Sequence, residues 1–182
     1  MRAKLASQNE NKLRELRHAL PGWELELLEA DDYPPETGAT YYENARGKAR
    51  YGVEHAPTWV LGEDSGIEVR ALGGRPGVES ARWADDGVAA LLEALEGVDD
   101  RAARYVCEIV ALSPTGEERR GTGTVEGTIA REPRGSEGFG YDPIFVPLGE
   151  TRTVAELGNH WKRDHSHRAV AARALAGAFE RK

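Results

Sequence analysis

The chain has 182 residues, with 24 Lys or Arg against 31 Asp or Glu, and a formal net charge of −7. This length corresponds to one domain, or one domain with a subdomain, and allows a sizeable core. The acidic balance makes nucleic acid a poor partner for the surface as a whole. No apolar run approaches the roughly 20 residues of a membrane span, and the single Cys107 excludes an intramolecular disulfide, which favours a cytoplasmic protein.

The first third of the chain alternates strand and helix patterns. Hydrophobic periodicity predicts a strand over 2–6, a helix over 10–20, a strand over 23–28 and a helix from 40 to about 54. Pro21 and Gly22 end the first helix, and Thr40 with Glu43 has the spacing of a capping box. Strands over 59–63 and 67–71 are predicted on either side of an acidic turn.

The rest of the chain combines a long hairpin with further helices. The patterns predict a helix over 85–96, strands over 104–112 and 117–129 joined by a turn at 113–116, a strand over 144–146 and a helix over 168–179. Helices and strands interleave at first and an antiparallel hairpin follows. The predicted fold class is therefore α/β, with a mixed sheet that contains antiparallel pairs.

The segment Glu63-Asp64-Ser65-Gly66 is predicted to follow the buried strand that begins at Trp59. In open α/β sheets, ligands lie outside the carboxyl ends of strands. Carboxylates there suit Mg²⁺, a hard cation that takes oxygen ligands and shares them with a substrate phosphate. The simpler interpretation is a polar turn, in which Asp64 and Ser65 bond to the local backbone.

Two other carboxylates are candidates to join Asp64 at a metal site. Glu36 lies in a loop rich in turn residues and has no evident structural duty, whereas Glu43 is better explained as part of the capping box. Glu63 itself is a third candidate, because it directly precedes Asp64. The sequence leaves open which of these side chains completes the site.

The connection between the first strand and the first helix offers several hydrogen-bond donors. It runs Ser7-Gln8-Asn9-Glu10-Asn11-Lys12, and the free backbone N–H groups at a helix start attract phosphate. The alternative is that Ser7 or Asn9 merely caps the helix. Lys12 has no capping role, and a cation so near the positive end of a helix is unfavourable without an anion, which favours a functional role.

The loop Gly138-Phe139-Gly140-Tyr141-Asp142-Pro143 has the composition of a ligand-binding segment. Its two glycines allow close approach of a ligand to the backbone, while Phe139 offers a flat face. Asp142 precedes a proline, so its carboxylate can project and accept a hydrogen bond from a base edge such as N1–H of a 6-oxopurine. The simpler interpretation is a tight turn with an aspartate cap.

Basic residues also precede the last predicted helix. Lys162 and the run Ser166-His167-Arg168 bring cations and a histidine near a helix start, although Ser166 capping a solvated first turn would explain the run equally well. The sequence contains no Gly-x-Ser-x-Gly elbow and no Cys/His cluster, which disfavours covalent and zinc-dependent chemistry.

Taken together, these segments resemble the inosine triphosphate pyrophosphatase family. The resemblance spans nearly the whole chain. It rests on Ser7-x-Asn9-x-x-Lys12, Thr37-Gly38-x-Thr40-x-x-Glu43-Asn44-Ala45-x-x-Lys48-Ala49, Glu63-Asp64-Ser65-Gly66, Gly73-Gly74-x-Pro76-Gly77-Val78-x-Ser80-Ala81-Arg82, Gly138-Phe139-Gly140-Tyr141-Asp142-Pro143 and Ser166-His167-Arg168.

The resemblance implies one nucleoside triphosphate pyrophosphatase domain over residues 1–182. Its fold would be an elongated mixed α/β sheet, with two lobes flanking a central cleft. The implied reaction is hydrolysis of non-standard purine nucleoside triphosphates (ITP, dITP and XTP) to the monophosphate and pyrophosphate. A homodimer and Mg²⁺ dependence are implied as well.

The resemblance also implies roles for individual residues. Asp64 would be the base for the attacking water and Lys12 the main cation, with Glu36 and Asp64 serving Mg²⁺. The implied triphosphate-binding residues are Ser7, Gln8, Asn9, Glu10, Asn11 and Lys12, and Ser65 would contact the substrate. Phe139, Gly140, Tyr141 and Asp142 would stack on the base and read it, and Lys162, His167 and Arg168 would complete the base pocket.

Two other functions stay open at this stage. One is a Maf-like pyrophosphatase of modified pyrimidine nucleotides, against which the Gly138 to Pro143 loop and the run ending at Arg168 both argue. The other is a non-catalytic nucleotide-binding regulator. A pure sensor needs no water-activating metal site, so the acidic pair and Lys12 count against it.

Overall fold

A computed structural model of the chain describes residues 1–180. The strands are β1 (Arg2–Leu5), β2 (Glu24–Leu27), β3 (Trp59–Val69), β4 (Ala102–Leu112), β5 (Glu118–Ile129) and β6 (Phe145–Pro147). The helices are α1 (Glu10–Ala19), α2 (Tyr41–His55), α3 (Gly87–Ala94), α4 (Val154–His165) and α5 (His167–Glu180), with short 3₁₀ turns at Arg70–Leu72 and Gly77–Arg82. None of the helices in the described part combines the length and apolar character needed to cross a membrane.

The strands form one mixed sheet in the order β2-β1-β3-β4-β5-β6. β1 runs parallel to both β2 and β3, with Leu5 opposite Leu27 on one side and Leu61 on the other. β5 and β6 pair antiparallel. β4 and β5 are neighbours joined by a tight turn, in which the Ser113 N–H donates to the Glu117 carbonyl at 2.9 Å. The predicted α/β class and the long hairpin are confirmed.

The chain divides into two compact units, and the three long strands contribute residues to both. Unit 1 comprises Met1–Asp64, Cys107–Gly123 and the described residues from 168 onward, and unit 2 comprises Ser65–Val106 and Thr124–His167. Each unit has its own apolar core. The core of unit 1 includes Leu5, Leu13, Leu16, Leu61, Ile109 and Leu175, and that of unit 2 includes Ile67, Leu91, Tyr105, Ile129, Ile144 and Phe145.

The helices predicted from local signals form close to the expected places. Leu13 and Leu16 form the buried stripe of α1, and Asn9 caps its start. Thr40 and Glu43 form the predicted capping box of α2, which gives Glu43 a structural role at the start of this helix. The side chain of Asp86 caps α3, so this helix begins at Gly87, slightly later than predicted.

The prediction of two strands around an acidic turn was wrong. β3 is one continuous strand of 11 residues, and Glu63 and Asp64 lie in its interior with only 2% and 4% of their surfaces exposed. Adjacent carboxylates predict a turn, because a buried carboxylate is costly unless it is paired and hydrogen-bonded. Other elements supply those partners here, so the polar residues stay in the strand.

The prediction also missed helix α4, which precedes α5 directly. Thr153 and Glu156 form a capping box at its start, and their spacing was a signal available in the sequence. The backbone leaves the helical conformation at Gly158, with φ 80° and ψ −179°, so α4 consists of a first turn and a second segment over residues 159–165. The predicted C-terminal helix is confirmed and begins at His167.

Candidate active site

Unit 1 contains a group of interacting carboxylates and cations, hereafter the charge cluster. Its members are Lys12, Glu15, Glu36, Lys48, Glu63, Asp64 and Arg168. Helix α1 supplies Lys12 and Glu15, α2 supplies Lys48, and β3 supplies the adjacent Glu63 and Asp64. The structure therefore brings together residues that are far apart in the sequence.

Glu63 lies at the centre of the charge cluster and is fully buried. Its Oε2 is 2.6 Å from Lys12 Nζ, and its Oε1 is 3.0 Å from Arg168 Nη2. Burial would raise the pKa of Glu63, but the positive charges of Arg168 and Lys12 outweigh this and hold that pKa well below its ordinary value. Glu63 is therefore an ionised carboxylate that neutralises two cations in the interior.

Asp64 faces a different set of partners. Its Oδ2 accepts a hydrogen bond from Asn44 Nδ2 at 2.9 Å, and its Oδ1 is 3.5 Å from Lys48 Nζ. Burial raises the pKa of Asp64 above its ordinary value, and the charges of Glu36 and Glu63 raise it further, against the opposite effects of Lys48 and Asn44. A raised pKa makes Asp64 a better proton acceptor than an ordinary aspartate.

Lys48 bridges the carboxylates of Glu36 and Asp64. Its Nζ forms an ion pair with Glu36 and donates to the Glu63 carbonyl at 2.9 Å. Burial alone would lower the pKa of Lys48, but the surrounding carboxylates, Asp64 first among them, raise it. Lys48 therefore remains a cation.

The packing of α2 against β3 explains how these side chains meet. Asn44 and Lys48 are four residues apart and share one face of α2. A Cβ atom on Gly62 of β3 would lie 1.9 Å from the Ala45 carbonyl oxygen, so only glycine permits this close approach of helix and strand. Sequence reasoning did not assign a function to Asn44 or Lys48, although both stand in a motif of the resemblance.

Glu36 and Asp64 are the carboxylates whose surroundings fit a magnesium ion. Both already interact with one cation, the Lys48 ammonium, whereas Glu43 is used in the capping box and Glu63 by Lys12 and Arg168. Among residues 1–180, no group of three or more His, Cys, Asp or Glu side chains is arranged to hold a metal. Mg²⁺ needs no such group, since it is commonly bound through one or two carboxylates plus substrate phosphates and water.

Several polar groups in the connection before α1 already form hydrogen bonds with one another. Asn9 Oδ1 accepts from the backbone N–H groups of Asn11 at 2.9 Å and Lys12 at 3.3 Å, and Ser7 Oγ accepts from the Asn9 N–H at 3.1 Å. The capping role of Asn9 is therefore observed. Gln8 and Glu10 are exposed, and their predicted contacts with a triphosphate stay predictions.

Unit 2 contains a second polar group, hereafter the aromatic–acid pocket, formed by Tyr105, Phe139, Asp142, Lys162 and His167. Asp142 Oδ2 accepts from Lys162 Nζ at 2.7 Å and from the Phe139 N–H at 2.9 Å. The Tyr105 hydroxyl donates to Asp142 Oδ1 at 3.3 Å. Sequence reasoning identified each of these residues except Tyr105, whose place in a buried strand pattern gave no functional signal.

Flat and cationic groups surround Asp142. The His167 ring stacks on Tyr105, with centroids 4.4 Å apart and planes 5° from parallel, and Lys162 Nζ lies 4.3 Å from the centre of the Phe139 ring. A small cavity of about 10 Å³, roughly the room of one water molecule, is lined by Tyr105, Val125, Asp142, Phe145, Val154, Trp161, Lys162, Ser166 and His167. The flat rings and the directed hydrogen-bond groups around it have the chemistry to contact a planar ligand with donors and acceptors on its edge.

The remaining predicted site residues have other surroundings. Tyr141 is buried and its hydroxyl donates to the Ser80 carbonyl at 2.8 Å, so this side chain packs within unit 2. Gly140 is exposed and Ser65 is half-buried in β3. Arg168 was expected at the base pocket. Its guanidinium instead belongs to the charge cluster of unit 1, where it contacts Glu63 and Glu15.

Solved structures with the same architecture define the class of protein. The chain matches the structure of the Staphylococcus aureus Ham1 protein with a TM-score of 0.87 and 35% identity, covering 99% of this chain and 98% of that one. It matches a HAM1 protein from Coxiella burnetii with a TM-score of 0.87 and 37% identity over the whole of both chains.

Residues 4–178 match the Ham1 family, and the chain belongs to this family. It is 43% identical to a dITP/XTP pyrophosphatase of Gloeobacter violaceus over 97% of this chain and 93% of that one. A dITP/XTP pyrophosphatase of Symbiobacterium thermophilum is 46% identical over 97% of this chain and 92% of its own length. The resemblance inferred from the sequence motifs is confirmed.

Proposed function

We propose that this protein hydrolyses the non-standard purine nucleoside triphosphates ITP, dITP and XTP to the monophosphate and pyrophosphate, and so cleanses the nucleotide pool. The names of its relatives in Gloeobacter violaceus and Symbiobacterium thermophilum support this reaction. The observation that carries the proposal is Asp64, a buried carboxylate with a raised pKa that is oriented by Asn44 and lies beside Lys48 and Glu36.

In the proposed mechanism, Asp64 accepts a proton from the water that attacks the α-phosphorus. The hydrogen bond from Asn44 fixes one carboxylate oxygen, and the other, which faces Lys48, would accept the proton. A proton acceptor must be held in place and have a pKa closer to the working pH than that of an ordinary aspartate, and burial supplies the second condition. No covalent intermediate is required.

Two cations of the charge cluster, Lys12 and Lys48, are assigned to the triphosphate. Lys12 stands in the first turn of α1, where the helix dipole favours an anion. Lys12 and Lys48 would neutralise the charge that develops on the pyrophosphate leaving group. Glu36 and Asp64 would hold Mg²⁺, which supplies charge neutralisation on the phosphate oxygens and lowers the pKa of bound water.

The aromatic–acid pocket is assigned to the base. Asp142 would accept the N1–H of a 6-oxopurine, Phe139 would stack on the ring, and Lys162 would donate toward the 6-oxo group. The 6-amino group of ATP would leave such donors unpaired, and a buried mismatch of this kind can be worth ~10⁴-fold in specificity. GTP shares the 6-oxo group, so its exclusion must involve the 2-amino position.

The test is the release of pyrophosphate or orthophosphate from ITP, XTP, GTP and ATP, with Mg²⁺ and with EDTA. We expect Mg²⁺-dependent pyrophosphate release from ITP and XTP, with GTP and ATP nearly inert. Orthophosphate release would indicate attack at a different phosphorus. Turnover of modified pyrimidines alone would favour the Maf-like alternative, and no turnover would favour the regulator.

The homodimer and the cytoplasmic location stay predictions.

A further inference from the structure

The second segment of α4 begins in an unusual way. Gly158 breaks the helix with a positive φ of 80°, and the helical backbone resumes at Asn159. The Asn159 N–H donates to Glu137 Oε2 at 2.8 Å. A Cβ atom on Gly158 would lie 2.9 Å from the same oxygen, and the positive φ independently favours glycine at this position. Glu137 therefore caps the segment from a distant loop.

The capped segment carries Lys162 into the aromatic–acid pocket. Lys162 lies one turn beyond Asn159 and is 3% exposed, with its Nζ 2.7 Å from Asp142 Oδ2. Glu137 stands two residues before Phe139, the ring that Lys162 contacts. One loop thus holds the start of the segment through Glu137 and meets its next turn at Asp142.

Backbone hydrogen bonds connect the same loop to the first turn of α4. The Glu137 N–H donates to the Ala155 carbonyl at 3.3 Å, and the Ala155 N–H donates to the Asp142 carbonyl at 3.0 Å. These bonds fix the first turn but not the direction of the chain after Gly158, because glycine gives little conformational restraint of its own. The contact between Glu137 and Asn159 restrains the second segment at its start, and the packing of Trp161 against the core of unit 2 restrains its next turn.

We propose that Glu137, acting through Gly158 and Asn159, is a positioning residue that sets Lys162 against Asp142 in the base pocket. The inference rests on the proposed function in that the ligand of the pocket is taken to be a 6-oxopurine nucleotide. Glu137 itself is exposed and touches no reacting atom. Its removal should weaken base recognition while leaving the chemistry of the charge cluster in place.

The first experiment compares substitutions of two exposed acids on the same loop. Glu137→Ala should raise KM for ITP about fivefold with kcat changed less than about twofold, because the lost interaction serves binding. Glu137→Gln keeps an oxygen that can accept from Asn159, so its KM should stay within about twofold of wild type. Glu132→Ala, the matched control, should leave both constants unchanged. An unchanged KM in Glu137→Ala, or a fall in kcat alone, would overturn the inference.

A double-mutant cycle tests whether Glu137 acts through Lys162. In the Lys162→Met background, Glu137→Ala should raise KM by less than about twofold further, since the positioned group is already gone. An equal effect in both backgrounds would mean that Glu137 contributes by another route. Thermal melting of each variant confirms that the compared proteins are folded.

A measurement without substrate separates this inference from the proposed function. If wild-type protein releases no pyrophosphate from any 6-oxopurine triphosphate, the proposed function fails. The positioning role is then decided by NMR exchange of the Lys162 ammonium and the Asn159 amide with solvent. Both should exchange faster in Glu137→Ala than in Glu132→Ala. Equal exchange in the two variants would refute the positioning role.

Discussion

The charge cluster of unit 1 and the aromatic–acid pocket of unit 2 stabilise their buried charges in different ways. In the charge cluster, ions share partners: Lys48 contacts both Glu36 and Asp64, and Glu63 contacts both Lys12 and Arg168. In the aromatic–acid pocket, the single carboxylate of Asp142 receives donors from a lysine, a tyrosine and a backbone N–H.

This difference has a functional consequence. Shared ion pairs can be exchanged for a phosphate or a metal at modest cost where a cation has two carboxylate partners, as Lys48 and Arg168 do. A carboxylate that accepts several directed hydrogen bonds is held in one orientation. The edge of a ligand can then form a specific hydrogen bond with it. We therefore expect substitutions in the charge cluster to act on turnover or stability, and substitutions in the aromatic–acid pocket to act on nucleotide binding.

The largest expected effect is that of Asp64→Asn. The amide retains the size of the side chain but cannot accept the proton of the attacking water, so kcat for ITP should fall about 10³-fold. The melting temperature should change little. Steady-state pyrophosphate release and thermal melting measure the two quantities, and Asp32→Asn at an exposed position is the control. A rate near wild type would remove Asp64 from catalysis.

Glu63→Gln should act on stability as well as on activity. The variant leaves Arg168 and Lys12 without their shared buried counter-charge, and breaking a buried pair in this way costs about 3 kcal/mol. Urea denaturation at neutral pH gives the free energy of unfolding. Glu24→Gln, in the exposed pair with Arg2, should give no resolvable change. Equal stability of the two variants would contradict a central role of Glu63.

Phe139→Ala tests the aromatic–acid pocket. Loss of a stacking face should raise KM for ITP about tenfold, with kcat affected less, since base–aromatic stacking contributes to binding in this range. The exposed Leu148→Ala serves as the apolar control. If KM stays unchanged, Phe139 has only a packing role, and the contrast between the two regions loses its support.

The last prediction concerns the reactivity of the Cys107 thiol, which is buried beside Glu63. Burial, with the nearby Glu63 carboxylate, raises the pKa of its thiol well above the ordinary value. Little thiolate is therefore present at pH 8, and the native protein should resist alkylation under conditions that label the urea-denatured chain fully. Mass spectrometry measures the labelling. Rapid labelling of the native protein would show that the interior of the charge cluster opens readily.

Local signals in the sequence determined much of the molecule. The leucine stripe of α1, the capping box at Thr40 and Glu43 and the turn after Leu112 each involve residues close in sequence, and each forms as predicted. Short polar runs between apolar elements likewise predicted functional roles for Lys12, Asp64 and Asp142, and Lys162 was predicted from its charge near a helix start. The structure gives each of these side chains a charged partner, and their roles stay predictions.

The tertiary structure alone decided which charges pair. Glu63 and Asp64 looked like a turn because the sequence does not reveal that Lys12, Lys48, Asn44 and Arg168 converge on them from three helices. The assignment of Arg168 to the charge cluster and the cap from Glu137 across Gly158 depend on the same kind of long-range contact. A buried ion is stable only when its partners are brought to it, and that pairing is a property of the packed chain.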